Sequence, residues 1–225
     1  MCGRFALVGV PKALLAAYGL SAPEMRPRYN IAPTQEIAVV MRESGASAPA
    51  LACPRWGLVP HWARDAGLAA RMINARAETV DAKPAFRDAF RRRRCLIPAD
   101  AFYEWRREGK ARTPFCFAPA AGGEPLVFAG LWDEWRGDGE PLRTCAILTT
   151  EANADMRPIH ERMPVILRRE AWEQWLNPAV RSRHELENWL APPPGGFLRS
   201  WRVADVVNSA ANDTLACMDS VEFMR

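Results

Sequence analysis

Paired cysteines are missing from this chain. Its six cysteines are Cys2, Cys53, Cys95, Cys116, Cys145 and Cys217, and the closest two stand 21 residues apart. That excludes the C-x-x-C spacing of zinc sites and of thioredoxin-type redox motifs. Histidine is scarce as well: His61, His160 and His184 are all there is, and no pair has metal-ligand spacing. No metal is expected. There is no G-x-x-x-x-G-K-[ST] and no G-x-G-x-x-G, so no loop calls for a nucleotide cofactor. A G-x-S-x-G nucleophile elbow is also absent. No apolar run approaches the roughly 18 residues of a membrane span. The opening "MCGRFALVGVPKALLAAYGL" is broken by Arg4, Pro11 and Lys12 and does not read as a signal peptide. The expectation is a cytoplasmic protein without disulfides, membrane contact or cofactor.

What remains is ordinary globular material. The chain has 225 residues, 49% of them apolar, with 9 Trp and 9 Phe to fill a core. Its net charge of +4 is mildly basic, which suits a local nucleic-acid groove rather than a uniformly basic surface. "GRFALV", "EIAVVM", "PALACPRW", "TPFCFAP", "PLVFAGLWDEW", "RTCAILTT" and "RMPVIL" read as strands, and "CLIPADAFYEWRREGK" begins as one. "PKALLAAYG", "KPAFRDAFRRRR", "REAWEQWLN" and "HELENWL" read as helices. "FLRSWRVADVVN" closes the chain as a last strand. Strands come in runs, without βαβ alternation. The pattern predicts an α+β fold: one domain over residues 1–225, with a mainly antiparallel, barrel-like core and flanking helices.

Chemistry must then come from polar residues set in apolar, turn-like contexts. These are Asn30 in "YNIAPTQ", Asn74, Arg76 and Glu78 in "MINARAET", and Asp100 and Glu104 in "CLIPADAFYEW". His160, Glu161 and Arg162 follow in "IHERMPVIL", and Asn208, Asn212 and Asp213 in "VVNSAAND". Burying such groups unpartnered costs about 1–3 kcal/mol each, so they form either a structural network or a site. The run Arg91–Arg94 is the obvious basic feature, and it suits a solvated helix end as well as a DNA contact.

Cys2 stands apart from the other cysteines, which read as inert core residues. Methionine before a small residue is readily removed. Loss of Met1 leaves an α-amine and a thiol on one residue. A free α-amine has an ordinary pKa of about 7.7–8.0, against about 10.4 for lysine, so a useful fraction is uncharged at neutral pH. The amine condenses with an aldehyde, and the thiol closes on the imine carbon to give a five-membered thiazolidine. Ring closure is intramolecular and strongly favoured.

The stretches "MCGRFAL", "RYNIAPTQ", "WGLVPHW", "INARAET", "CLIPADAFYEW", "ILTTEAN", "IHERMPVIL" and "VVNSAANDT" together resemble the SRAP family, named for SOS-response-associated peptidase. They run in the family's order from residue 1 to about 214. The resemblance implies a protein that cross-links to abasic sites in single-stranded DNA through Cys2. It implies catalytic roles for Asn74, holding the reacting amine or sugar, for Glu104 as general acid/base, and for His160 as proton shuttle. It implies DNA contacts from Arg4, Arg76 and Arg162, with Thr149 lining the site and Pro33 and Trp62 supporting displaced bases. The implied partner is single-stranded DNA bearing abasic sites, bound by a monomer. One departure is Ala101, where the family often has glycine; a backbone needing φ > 0 there costs alanine about 1 kcal/mol.

The residue chemistry fits. An abasic sugar is mostly a closed hemiacetal and needs acid/base help to open. A glutamate between Tyr103 and Trp105 suits proton delivery, and imidazole is a natural shuttle. Two other readings remain at this level. One is a cysteine-type peptidase or autopeptidase using Cys2, His160 and Glu104. The other is a non-covalent single-stranded DNA binder whose affinity falls with salt and ignores Cys2.

Overall fold

The computed structural model describes residues 2–43, 45–121, 125–137 and 139–221. Continuous apolar, β-prone runs make the long central strands. In chain order the strands are β1 (Arg4–Leu7), β2 (Arg28–Ile31), β3 (Val39–Met41), β4 (Ala50–Ala52), β5 (Arg55–Trp56), β6 (Asn74–Arg76) and β7 (Arg94–Ala99). They continue with β8 (Ala101–Glu108), β9 (Ala111–Pro119), β10 (Leu126–Trp135), β11 (Leu142–Glu151), β12 (Arg162–Pro164) and β13 (Leu198–Arg202). The helices are short: α1 (Lys12–Ala17), α2 (Arg87–Arg92), α3 (Trp172–Leu176) and α4 (Arg183–Leu190). Among the described residues no helix is long and apolar enough to cross a membrane.

Two sheets result. One is antiparallel in the order β13-β9-β8-β1-β2. The other follows β12-β11-β10-β7-β3-β4, with β5 and β6 running parallel to β11. The larger sheet curls into a half-barrel, and the fold is α+β with mainly antiparallel pairing.

The two-residue period of the strands sorts side chains into layers. Ile97, Phe128, Cys145 and Ile147 meet Phe5, Phe102 and Phe117 of the smaller sheet in one apolar cluster. Phe128 meets the rings of Phe5 and Phe102 edge-on, at 6.2 and 5.8 Å, the geometry that aromatic quadrupoles favour. Their alternates Leu96, Val127, Ala129, Ala146 and Leu148 pack instead with Leu14, Phe90, Trp175 and Leu186 of the four helices. On the far side of the smaller sheet, Val203, Val207 and Cys217 cover Ala6, Tyr103 and Cys116.

That last layer is riveted by polar groups. Buried Asn30 donates from Nδ2 to the carbonyls of Val207, Ser209 and Asn212 at 3.1, 2.9 and 2.7 Å. Asp213 accepts from the Tyr29 and Asn30 amides at 2.5 and 2.9 Å and from Arg28 Nε at 2.7 Å. The "RYN" and "VVNSAAND" stretches thus form a structural network that pins the C-terminal segment to β2.

The arginine run divides. Arg91 and Arg92 are exposed at the end of α2. Arg93 pairs with buried Asp133 at 3.1 Å. Arg94 is buried and donates to the carbonyls of Phe90, Trp175, Asn177 and Val180 at 2.5–2.8 Å, with its guanidinium 5.6 Å over the Trp175 ring. Burial pulls its pKa down to about 10. Ala101 opens β8 opposite Ala6. Thr34 is the one non-glycine residue with positive φ among the described residues, so alanine carries no backbone strain at position 101.

Candidate active site

Cys2 precedes β1, whose Arg4 and Phe5 pair with Tyr103 and Phe102 of β8. This pairing ties down the start of the chain, which would otherwise fray. Cys2 is fully buried and belongs to the cluster between the sheets. In this it matches Cys95, Cys116 and Cys145, which are equally buried; Cys53 is exposed. Its surroundings differ from theirs, because a carboxylate stands nearby. Burial pushes the Cys2 thiol well above its ordinary range, and the Glu104 carboxylate pushes it further. Met1 lies outside the described residues, so the expected loss of Met1 is not visible here.

Two neighbours from different sheets converge on Cys2. Glu104 sits in β8, two residues from the Phe5 partner Phe102, and is only 4% exposed. Asn74 comes from β6, carried against β11 by the pairing of Asn74 with Ile147. Its Nδ2 donates to the Cys2 carbonyl oxygen at 2.9 Å. The other end of that amide, Oδ1, is buried and accepts no hydrogen bond among the described residues. A buried acceptor left open costs stability and leaves a place for an incoming hydrogen-bond donor.

The same short strand leads to the cationic end of the site. Asn74 and Arg76 are two residues apart on β6, so they share a face about 7 Å apart. Arg76 is exposed and lies opposite Thr149. Thr149 is itself fully buried, so it does not line a surface. Its carbonyl accepts from Arg162 Nη2 at 2.6 Å. Arg162 also makes a two-pronged contact with Glu78, at 2.6 and 2.9 Å. Burial alone would raise the Glu78 carboxyl; the hydrogen bonds from Arg162 outweigh it and hold the group below the usual carboxylate range.

His160 ends the turn between β11 and β12. Met156 in that turn is a core residue, and the amides of Ile159 and His160 both donate to its carbonyl. The Arg162 backbone N–H donates to His160 Nδ1 at 3.0 Å. A backbone amide can only donate, so Nδ1 is the unprotonated nitrogen and the neutral ring carries its hydrogen on Nε2.

Arg4, Pro33 and Trp62, the other expected contact residues, each have a distinct setting. Arg4 donates from Nη1 to Asn30 Oδ1 and the Val207 carbonyl, and from Nη2 to the Asn208 carbonyl, at 2.9, 2.8 and 3.2 Å. It is part of the C-terminal rivet. Pro33 is half-buried in a tight turn where Thr34 takes φ 72 and donates its amide to the Trp56 carbonyl at 2.8 Å. Left-handed backbone is costly for a β-branched residue and marks a turn held by its surroundings. Trp62 is 52% exposed, the largest apolar side chain that the described surface presents to solvent. Among the described residues no group of three or more His, Cys, Asp and Glu could hold a metal.

Sequence reasoning gave two residues no role. Glu78 was visible beside Arg76, but its pairing with Arg162 spans 84 positions and no local pattern shows it. Asp155 accepts from the amides of Gly196 and Leu198 at 2.7 and 3.0 Å, clasping the His160 turn to the entry of β13.

The profile of the family described as SOS response associated peptidase (SRAP) matches residues 1–210. Abasic site processing protein YoaM of Bacillus subtilis is 39% identical over 230 residues, covering 100% of both chains. Abasic site processing protein HMCES of Gallus gallus is 31% identical, over 88% of this chain and 67% of its own. A crystal structure of a Bacteroides thetaiotaomicron protein superposes with a TM-score of 0.84 at 24% identity, covering 98% of this chain and 100% of that one, and so shares the fold.

Proposed function

Since the chain belongs to the SRAP family, we propose that it processes abasic sites in DNA by capturing the lesion covalently on Cys2 after Met1 is removed. Relatives named abasic site processing proteins support the substrate. The observation that carries the chemistry is the convergence of Asn74 and Glu104 on one buried N-terminal cysteine.

Glu104 protonates the ring oxygen of the closed sugar and frees its aldehyde. The Cys2 amine attacks the aldehyde carbon, and one water leaves as the imine forms. The thiol sulfur then adds to the imine carbon while its proton passes to the imine nitrogen, closing a thiazolidine. His160, with its hydrogen on Nε2, moves protons in imine formation and in reversal. Asn74 holds the Cys2 carbonyl, and its open Oδ1 accepts from the amine or a sugar hydroxyl. Arg76 and Arg162 meet the flanking phosphates.

The state of the thiol orders these steps. A thiol kept protonated is a poor first nucleophile, so the amine reacts first and the sulfur second.

The test is a denaturing gel of protein mixed with an oligonucleotide bearing one abasic site. A DNA-shifted band that Cys2→Ala lacks is expected. No band, or an equal band from Cys2→Ala, refutes the proposal.

A further inference from the structure

The strand that delivers Glu104 does not stop at the site. β8 runs on past it and turns back through Gly109, which takes φ +60, into β9. Beyond Glu104 this ribbon carries Arg106, Arg107, Lys110 and Arg112 against a single carboxylate, Glu108. Arg107 and Arg112 stand directly opposite each other in the ladder, and neither joins an ion pair among the described residues. Like charges paired this way destabilise a hairpin. An anion on that face, the opposite one from Glu104, relieves the repulsion.

The face shared with Glu104 is more specific. Phe115 of β9 is the direct partner of Glu104 on one side and of Arg202 of β13 on the other. The row Glu104–Phe115–Arg202 thus crosses three strands, about 10 Å from first to last. Arg106 lies two residues beyond Glu104 on the same face. Its guanidinium sits 5.2 Å over the Phe115 ring, with Glu108 in ion-pair contact at 2.9 Å. Phe115 is half-buried, Arg106 is 42% exposed at its side chain, and Arg202 is exposed. A flat cation backed by an aromatic ring offers its outer plane to a nucleobase. A second arginine across the row is placed for a phosphate.

We propose that the Arg106–Phe115 stack, with Arg202 across from it, is the subsite for the nucleotide next to the lesion, and that the β8–β9 ribbon carries the DNA strand away from Glu104. The inference deepens the proposed function and rests on DNA being the substrate. The nucleobase stacks on the outer plane of Arg106, and its phosphate meets Arg202.

The test is equilibrium binding by fluorescence anisotropy, which needs no covalent step. The probes are three single-stranded oligonucleotides carrying a tetrahydrofuran abasic analogue at the centre, at the 5′ end or at the 3′ end. The double variant Arg106→Ala/Arg202→Ala is expected to bind the central probe about tenfold more weakly than wild type, the effect of one lost stack. Its salt slope falls by about 0.7, for the one phosphate contact that Arg202 makes on a single strand. One of the end-placed probes lacks the flank in question, and both proteins bind it equally. Phe115→Leu keeps an apolar side chain in place and is expected to show the same flank-specific loss while melting near the wild-type temperature. Unchanged affinity for all three probes, or the same loss on all three, overturns the subsite. So does a Phe115→Leu variant that binds like wild type. Failure of the Cys2 cross-link reads out separately on the gel and leaves this measurement intact.

Discussion

Arg162 and Glu78 meet through two parallel hydrogen bonds, at 2.6 and 2.9 Å, on the rim of the site that holds Cys2. One of the two cations expected to receive phosphate is therefore already satisfied by a carboxylate. Such a pair fixes the guanidinium in place and lowers its attraction for DNA at the same time.

Substituting Glu78→Gln keeps an acceptor and removes the charge. We expect single-stranded DNA to bind a few-fold more tightly at low salt, with the salt slope steeper by about 0.7, as for one added phosphate contact. Salt titration of binding measures this. An unchanged slope means that Glu78 does not compete with the DNA for Arg162.

Asn74→Ala removes the amide that holds the Cys2 carbonyl. The lost hydrogen bond is expected to cost only about 1 kcal/mol of stability. Cross-linking is expected to slow by about 100-fold, because misplacing a reacting group by about 1 Å costs that much. Thermal melting beside single-turnover cross-linking separates the two. Equal, small effects on both would make Asn74 merely structural.

Acid should loosen the fold in a defined direction. In Glu78, Asp155 and Asp213 burial raises the carboxyl, but hydrogen bonds and charge outweigh it and hold each below its ordinary value of 4.5 or 3.8. The unfolded chain therefore binds more protons. The stability from these groups is fully present above about pH 4.5 and is lost as pH falls through the folded values. Asp213→Asn is expected to cost about 1–3 kcal/mol at neutral pH and to flatten the acid limb of a denaturation series. A variant with the wild-type acid limb argues against the rivet between β2 and the C-terminal segment.

Arg94→Met leaves four carbonyls without their donor. We expect a loss of about 3 kcal/mol or more by chemical denaturation, since each buried orphan costs about 1–3 kcal/mol. Cross-linking per folded molecule should stay at the wild-type level, because Arg94 works in the helical layer and not at the DNA. Replacing Arg91 and Arg92, both exposed, should leave stability within about 0.5 kcal/mol.

The fold was legible where local pattern governs it. The β-prone runs "PLVFAGLWDEW" and "RTCAILTT" predict β10 and β11, and proline before "KALLAA" predicts α1. Cys2 stood out as a candidate because the chemistry proposed for it depends only on its following Met1. Asn74, Glu104 and His160 stood out as polar groups in apolar runs. What the sequence hid is long-range. Arg4 and Arg94 are engaged with carbonyls far along the chain, and no local signal separates such arginines from surface cations. Thr149 looks like a lining residue and is buried, because the pairing of β11 with β6 and β12 covers it. Full burial of Cys2 was hidden too, since it follows from the pairing of β1 into the smaller sheet and the packing of that sheet on the larger one.

Intact-mass spectrometry of the product formed with an oligonucleotide bearing one abasic site tests the central claim most directly. The account predicts a single adduct whose mass is the protein without Met1 plus the DNA minus one water, and no adduct from Cys2→Ala. An adduct that retains Met1, or one that forms equally well with Cys2→Ala, contradicts it.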